Sequence, residues 1–419
     1  MHSPLRRGRY VALWLGGCAI ALAGAAQADP APPFAELLAR AQTAAPRLAQ
    51  ARADIARAEG LARQAQARPN PVLGLEVENF AGSGPFKGSG LSETTASLQQ
   101  TLELGGKRGA RALAGRAEVE AARREARQAQ AAYAFDLAMA YAGAEASERR
   151  VEIARDALAL AQDDARVAGA LVEAGREADL RRVQAQAGVQ AAQADVDETL
   201  AARAQAFGTL TSLAGAPAPI TSVPASLLAR ANLTSPPARP DPLLSPSYLA
   251  AQAAREAAAR RIRVEQARAV PDVEVSLGVR RFEGDGASAM VAGISAPFPL
   301  FDRNRGNIAA AQAELAGAEA RLEAARLDAQ AEAMVAMARA ASSASRLTAA
   351  RGGEAAADDA YRLTRLGYEG GKLGLVELLT ARRALTDARA QALDAALEQL
   401  AAQAALARLQ GAAPFGDQP

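Results

Sequence analysis

Two kinds of apolar spacing alternate along this chain, one of period two and one of helical period. Leu73, Leu75 and Val77 alternate with Gly74, Glu76 and Glu78, and Ala96, Leu98, Leu102 and Leu104 with Glu93, Thr95, Ser97, Gln99, Thr101 and Glu103. Further on, Val273, Val275, Leu277 and Val279 stand against Asp272, Glu274, Ser276 and Arg280, followed by Met290, Ala292, Ile294 and Phe298. Turn-rich stretches at 81–90 and 283–287 separate the members, so the pattern predicts two β-hairpins, at 72–104 and 272–299. Between them run Ala/Gln/Arg/Glu segments that predict helices at 34–67, 107–168, 176–213, 246–269, 307–366 and 375–409. The second of these would span about 93 Å at 1.5 Å per residue, a length that suits coiled-coil or helical-barrel packing rather than a globular core.

The same order of elements occurs twice. Leu98 to Arg111 falls over Ile294 to Asn307, and Glu173-Ala174-Gly175-Arg176 over Glu369-Gly370-Gly371-Lys372, both at a displacement of about 196 residues. Two landmarks sharing one offset predict a tandem duplication. The chain divides accordingly into a first repeat at 29–215, a linker at 216–246 whose eight prolines forbid a continuous helix, a second repeat at 247–410 and a tail at 411–419.

Ahead of the repeats, Arg6, Arg7 and Arg9 precede an apolar run from Val11 to Ala25 and the A-x-A site Ala26-Gln27-Ala28, which predicts a signal peptide over 1–28 and an exported chain. Leu15-Gly16-Gly17-Cys18 approximates a lipobox, so acylation of Cys18 is the alternative. Cleavage after Ala28 removes three of the 48 Lys and Arg and none of the 46 acids, leaving about −1, and with it the electrostatic motive for nucleic-acid binding. It also removes the one His (His2) and the one Cys (Cys18), and with them a Cys/His zinc site, a Cys or His nucleophile and any disulfide. Half of the residues are apolar yet only 4% are aromatic, the balance being Ala. No stretch of the mature chain approaches a transmembrane helix, so membrane insertion would have to be as β-structure.

The alternation of apolar and polar positions suits a transmembrane wall with one face in lipid; a soluble half-buried hairpin would show it too. Four strands are too few to enclose a water-filled pore, so a pore requires strands from several chains. A fibrous coiled coil is disfavoured because regular Leu or Ile heptads are missing. Gly105-Gly106-Lys107-Arg108 is no phosphate loop, since Thr101 and Arg108 stand where that motif needs Gly and Ser or Thr. Its glycines turn a strand into a helix, and Lys107, Arg108 and Arg111 are expected at the edge of the wall, facing lipid headgroups or a neighbouring protomer.

Several segments resemble outer membrane factors of the TolC type, and within them the CzcC-like channels of heavy-metal efflux. These are Pro69-Asn70-Pro71 leading into Val77-Glu78-Asn79, Gln100 to Arg108, Pro299 to Ile308, and Tyr368-Glu369-Gly370-Gly371 followed by Leu375 to Leu379. The resemblance covers essentially the whole mature chain. It implies a mainly α fold with internal duplication: a long helical periplasmic barrel, and four strands per protomer completing a twelve-stranded trimeric barrel in the outer membrane. The partners it implies are two further copies of the chain, outer-membrane lipid, a periplasmic adaptor and an inner-membrane pump of the resistance-nodulation-division class. It implies neither catalysis nor a cofactor: the chain is a passive exit duct for divalent heavy-metal cations. A multidrug or type I secretion channel of the same fold is the alternative, and a periplasmic coiled-coil scaffold or adaptor the alternative of another class.

Two sets of candidate residues follow. Glu76, Glu78, Glu93, Glu103, Asp272 and Glu274 lie on the polar side of the strand pattern and would give a lumen that enriches cations. Gly-containing turns at 169–179 and 367–377 join antiparallel helices, and the resemblance makes that end the gate and adaptor-docking tip. Its candidates are Arg166, Glu173, Gly175, Arg176, Asp179, Arg362, Arg365, Tyr368, Gly371, Lys372 and Glu377.

Overall fold

A computed structural model describes residues 29–232 and 239–415. The signal segment with His2 and Cys18 lies outside the described residues. In chain order the elements are β1 (Asp29–Pro30), α1 (Phe34–Ala44), α2 (Pro46–Gln64), β2 (Val72–Glu78), β3 (Glu93–Leu102), α3 (Lys107–Glu173), α4 (Asp179–Ala214), β4 (Ile220–Ser222), α5 (Pro246–Arg268), β5 (Val273–Phe282), β6 (Ala287–Ser295), α6 (Arg305–Glu369) and α7 (Leu375–Leu409).

The first predicted helix is two helices. Ala45, which precedes Pro46, is extended (φ −63°, ψ 127°), because the proline ring disfavours helical backbone in the residue before it. Pro46 itself opens α2, where no N–H is needed. The long helices continue past their predicted ends to the tips. There Gly175 and Gly371, at φ 68° and 70°, stop α3 and α6 in the same way. Arg176 N–H donates to Leu171 O at 2.9 Å and Lys372 N–H to Gly367 O at 2.8 Å, closing the last carbonyls through a left-handed residue. Helix α6 has 65 residues against 67 in α3, and the strand-to-helix junction before it is longer, 296–304 against 103–106. The tip glycines thus keep the 196-residue spacing while the helix starts do not.

Four strands form one antiparallel sheet in the order β2-β3-β5-β6, with Leu75 opposite Ala96, Leu98 opposite Leu277 and Leu277 opposite Ala292. The accessible surface is 26009 Å², against about 15,000 Å² expected for a globular monomer of this mass. A hydrophobic core lies midway along the helices, where Phe34, Leu137, Tyr141, Phe207, Leu210 and Leu400 meet. The proline-rich crossing segment is anchored there. Buried Glu145 accepts from the Ser226 hydroxyl and from Leu227 N–H at 2.7 Å and Leu228 N–H at 3.0 Å, and β4 pairs in parallel with β1. Elsewhere helices approach through Ala, as at Ala154, Ala161 and Ala168 of α3.

Candidate functional site: a two-faced sheet and a helical tip

The sheet register sorts the strand residues into two faces. Leu73, Leu75, Leu98, Leu277, Val279, Met290 and Ile294 share one, and it points outward: Leu73 is 81% and Ile294 77% exposed. The other carries Glu76, Thr95 and Arg280 in one row and Glu78 beside Glu93 in the next. A soluble protein does not leave a continuous apolar sheet face bare; a wall between lipid and water does.

The six predicted lumen acids separate into three groups. Glu78 and Glu93 each meet Arg280 at 2.9 Å, and Arg280 also donates to Thr95 Oγ1 at 2.9 Å. Glu76 and Glu274 share the polar face and have no ion-pair partner among the described residues. Glu103 and Asp272 lie beyond the strand ends and are held in the junction with the helices. Asp272 takes Lys107 Nζ at 2.7 Å and Leu104 N–H at 3.1 Å, and Glu103 pairs with Arg111.

At that junction Lys107 and Arg111 turn inward, against the expectation that they face lipid or a neighbour, while Arg108 stays exposed. Lys107 is only 12% exposed. Arg108 donates to Gln66 O at 2.7 Å, and Arg111 to Ala65 O and Ala67 O, the free carbonyls at the end of α2. Gly105 lies so close to the connection between α5 and β5 that a Cβ there would sit 2.7 Å from the Val270 Cβ.

At the tip, α3, α4, α6 and α7 converge on Ala168, Ala185, Tyr361, Tyr368, Leu375, Leu378 and Leu385. Arg365 bridges to Asp163 at 3.7 Å and Glu369 at 3.0 Å, and Arg166 also pairs with Asp163. Asp179 holds Arg182 at 2.8 Å and Arg362 holds Asp359 at 3.1 Å, both on single helix surfaces. Arg176 leans over Gly371, where a Cβ would come within 2.7 Å of its guanidinium, so the tips of the two repeats touch. Glu173, Lys372 and Glu377 make no ion pair among the described residues. Tyr368 is a correction: it is 1% exposed, its hydroxyl has no hydrogen-bond partner among the described residues, and it packs the tip rather than presenting itself for docking.

Sequence reasoning missed the residues beneath this surface. Asp164 of α3, 2% exposed, accepts from Arg382 of α7 at 3.0 Å and from the Tyr361 hydroxyl of α6 at 3.2 Å. Burial pushes the Asp164 carboxyl above its ordinary range, opposed by the adjacent Arg382, and burial pushes Tyr361 up to about 12. The available signal was a carboxylate in the buried alanine stripe Ala154, Ala161, Ala168, with a tyrosine 197 residues later, one from the repeat distance.

A sheet with one apolar and one acidic face, carried on duplicated helices of about 100 Å, defines a membrane export duct with a helical tunnel. The family model for outer membrane efflux proteins matches residues 37–216 and 243–412. The chain belongs to the outer membrane efflux protein family and is an outer-membrane channel with a periplasmic helical tunnel. It is 43% identical to the nickel and cobalt resistance protein CnrC of Cupriavidus metallidurans over 76% of this chain and 75% of that one. It is 42% identical to the nickel-cobalt-cadmium resistance protein NccC of Alcaligenes xylosoxydans over 71% and 67%. A membrane protein from Pseudomonas aeruginosa has the same fold, with a TM-score of 0.78 and 22% identity over 91% of each chain.

Proposed function

We propose that this chain is the outer-membrane exit duct of a tripartite, resistance-nodulation-division efflux system, passing divalent heavy-metal cations of the nickel, cobalt, zinc or cadmium type out of the cell. The observation that carries the reading is the extensive identity to two metal-resistance proteins, spread over both repeats. The sheet supports it physically: Glu76 and Glu274 put negative charge without a counter-cation on the polar face, which favours cations over anions. Three copies would close the barrel, and the exposed charges at the tip would meet a periplasmic adaptor that hands over cargo from the pump. The duct does no chemistry on its cargo. With His2 and Cys18 removed with the signal segment, the mature chain keeps neither thiolate nor imidazole ligands, a poor basis for choosing between transition metals, so selection belongs to pump and adaptor.

The test is growth of a deletion strain, with and without the gene restored, across graded nickel, cobalt, zinc, cadmium, copper and silver and a panel of drugs and detergents. Sensitivity to one or a few metals, reversed by complementation, is the expected result. Sensitivity only to organic compounds would overturn the metal assignment and leave the fold untouched.

A further inference from the structure

The four-stranded sheet ends in two unpaired edges, β2 and β6. In a bilayer an open edge leaves a row of N–H and C=O groups without partners, so each edge must meet another strand. The edges of one chain are three strands apart, and a closed sheet of four strands has no room for a lumen, so the partner is a second copy joined head to tail.

We infer that the register of this seam is already written inside the chain: β6 of one copy pairs antiparallel with β2 of the next as β3 pairs with β5, which puts Ile294 opposite Leu75. The inference rests on reading the chain as a barrel built from several copies, and holds whatever their number.

The argument uses the duplication as a ruler. Pro69-Asn70 at the head of β2 superposes on Pro271-Asp272 at the head of β5, and Leu98 of β3 on Ile294 of β6. These two matches come from sequence alone, yet together they convert the pairing of Leu75 with Ala96 in the first hairpin into that of Leu277 with Ala292 in the second. The sheet has both pairings. The superposition therefore passes a test that a two-residue error in either strand would fail. Applied to the remaining pair, Leu98 opposite Leu277 within the chain becomes Ile294 opposite Leu75 between chains.

The result is physically consistent. Both residues belong to the exposed apolar face, so the lipid-facing band continues across the seam without a step. One level along, Ser97 faces Gly278 within the chain, where a Cβ would come within 2.6 Å of the Ala96 carbonyl. Across the seam the same level pairs Gly293 with Glu76, again a glycine against a side chain.

Cysteine cross-linking tests this in the full-length protein in outer membranes. With Cys18 replaced by Ser, the pairs Leu75→Cys/Ile294→Cys, Leu73→Cys/Ile294→Cys and Val77→Cys/Ile294→Cys are oxidised and run on non-reducing gels. Directly opposed residues lie about 4.5–5.5 Å apart, within disulfide reach, while a two-residue slip gives about 7–8 Å, beyond it. The expected result is chains linked into multimers through Leu75→Cys/Ile294→Cys, about tenfold more than through either slipped pair. The pair Leu98→Cys/Leu277→Cys closes within one chain, losing its thiols with no gain in mass, and reports the sheet itself. Membranes in which that internal pair closes, but Ile294→Cys cross-links through Leu73→Cys or Val77→Cys, or not at all, would overturn the seam register. Failure of the internal pair would instead overturn the sheet and the barrel reading, and the seam with them.

Discussion

The guanidinium of Arg382 meets the carboxylate of Asp164 at 3.0 Å where neither side chain is more than 10% exposed. The pair joins α7 to α3 beneath the tip, and Tyr361 of α6 donates to the same carboxylate. Removing one member leaves the other charge buried and uncompensated. Asp164→Asn is expected to destabilise the tip by about 3–5 kcal/mol, and Tyr361→Phe by about 1 kcal/mol. The double replacement Asp164→Leu/Arg382→Met should recover most of the loss. Denaturant titration and limited proteolysis at the tip turns measure both; full stability of Asp164→Asn would show that the pair holds nothing together.

The unneutralised carboxylates predict ion selectivity. Glu76→Gln with Glu274→Gln should shift reversal potentials in planar bilayers towards equal cation and anion passage. Glu78→Gln should do less, because Arg280 already offsets that charge. Unchanged potentials in the first variant would remove the electrostatic part of the functional reading.

At the strand-to-helix junction, Gly105→Ala would drive a Cβ into Val270 and force a residue with φ of 68° to carry a side chain. The expected outcome is less inserted channel, partly restored by Val270→Ala, which relieves the collision but not the strained backbone. Heat-stable oligomer on gels is the readout, and normal assembly of Gly105→Ala alone would show that the junction has slack.

Gly175→Leu and Gly371→Leu each place a branched side chain on a left-handed residue, at a cost of about 1–2 kcal/mol, and at Gly371 also against Arg176. Both are expected to lower efflux while barrel insertion, set about 100 Å away, is unaffected. Undiminished metal resistance would argue against a role for the turns in docking.

Burial pushes the hydroxyls of Tyr141 and Tyr361 up to about 12. An unfolded tyrosine ionises near 10, so above that pH the unfolded chain loses protons that the folded chain keeps. Stability should fall as pH rises from about 10 to about 12, with phenolate absorbance for these residues appearing only as the helices open. Tyr141→Phe should flatten part of that fall; ionisation of both near pH 10 in the intact channel would contradict their burial.

The sequence carried the large features because they are periodic. Leu73, Leu75 and Val77 alternate strictly, and the tips repeat at a fixed distance, so hairpins, helices and duplication could be read directly. What it could not carry depends on which strand lies beside which. Nothing local to Lys107 or Asp272 says that β3 neighbours β5, so both were assigned to open surfaces when they face each other. Tyr368 fails for a related reason: a large residue beside a glycine turn reads as exposed until the second helix pair is laid over it. Asp164 shows the opposite limit, a polar residue hidden in an alanine stripe that helical periodicity treats as one more small contact.

Because α3 is a single unbroken rod of 67 residues, the chain also keeps a measure of distance. Each residue adds about 1.5 Å, so the depth at which the tip waits below the membrane is counted in codons rather than set by loops. Removing seven residues alike from α3, α4, α6 and α7 would raise that mouth by about 10 Å and turn it by only about 20°, whereas removing five would also swing its charged surface to another side. A pump assembly that reached this mouth would therefore have to match it in length and in rotation together.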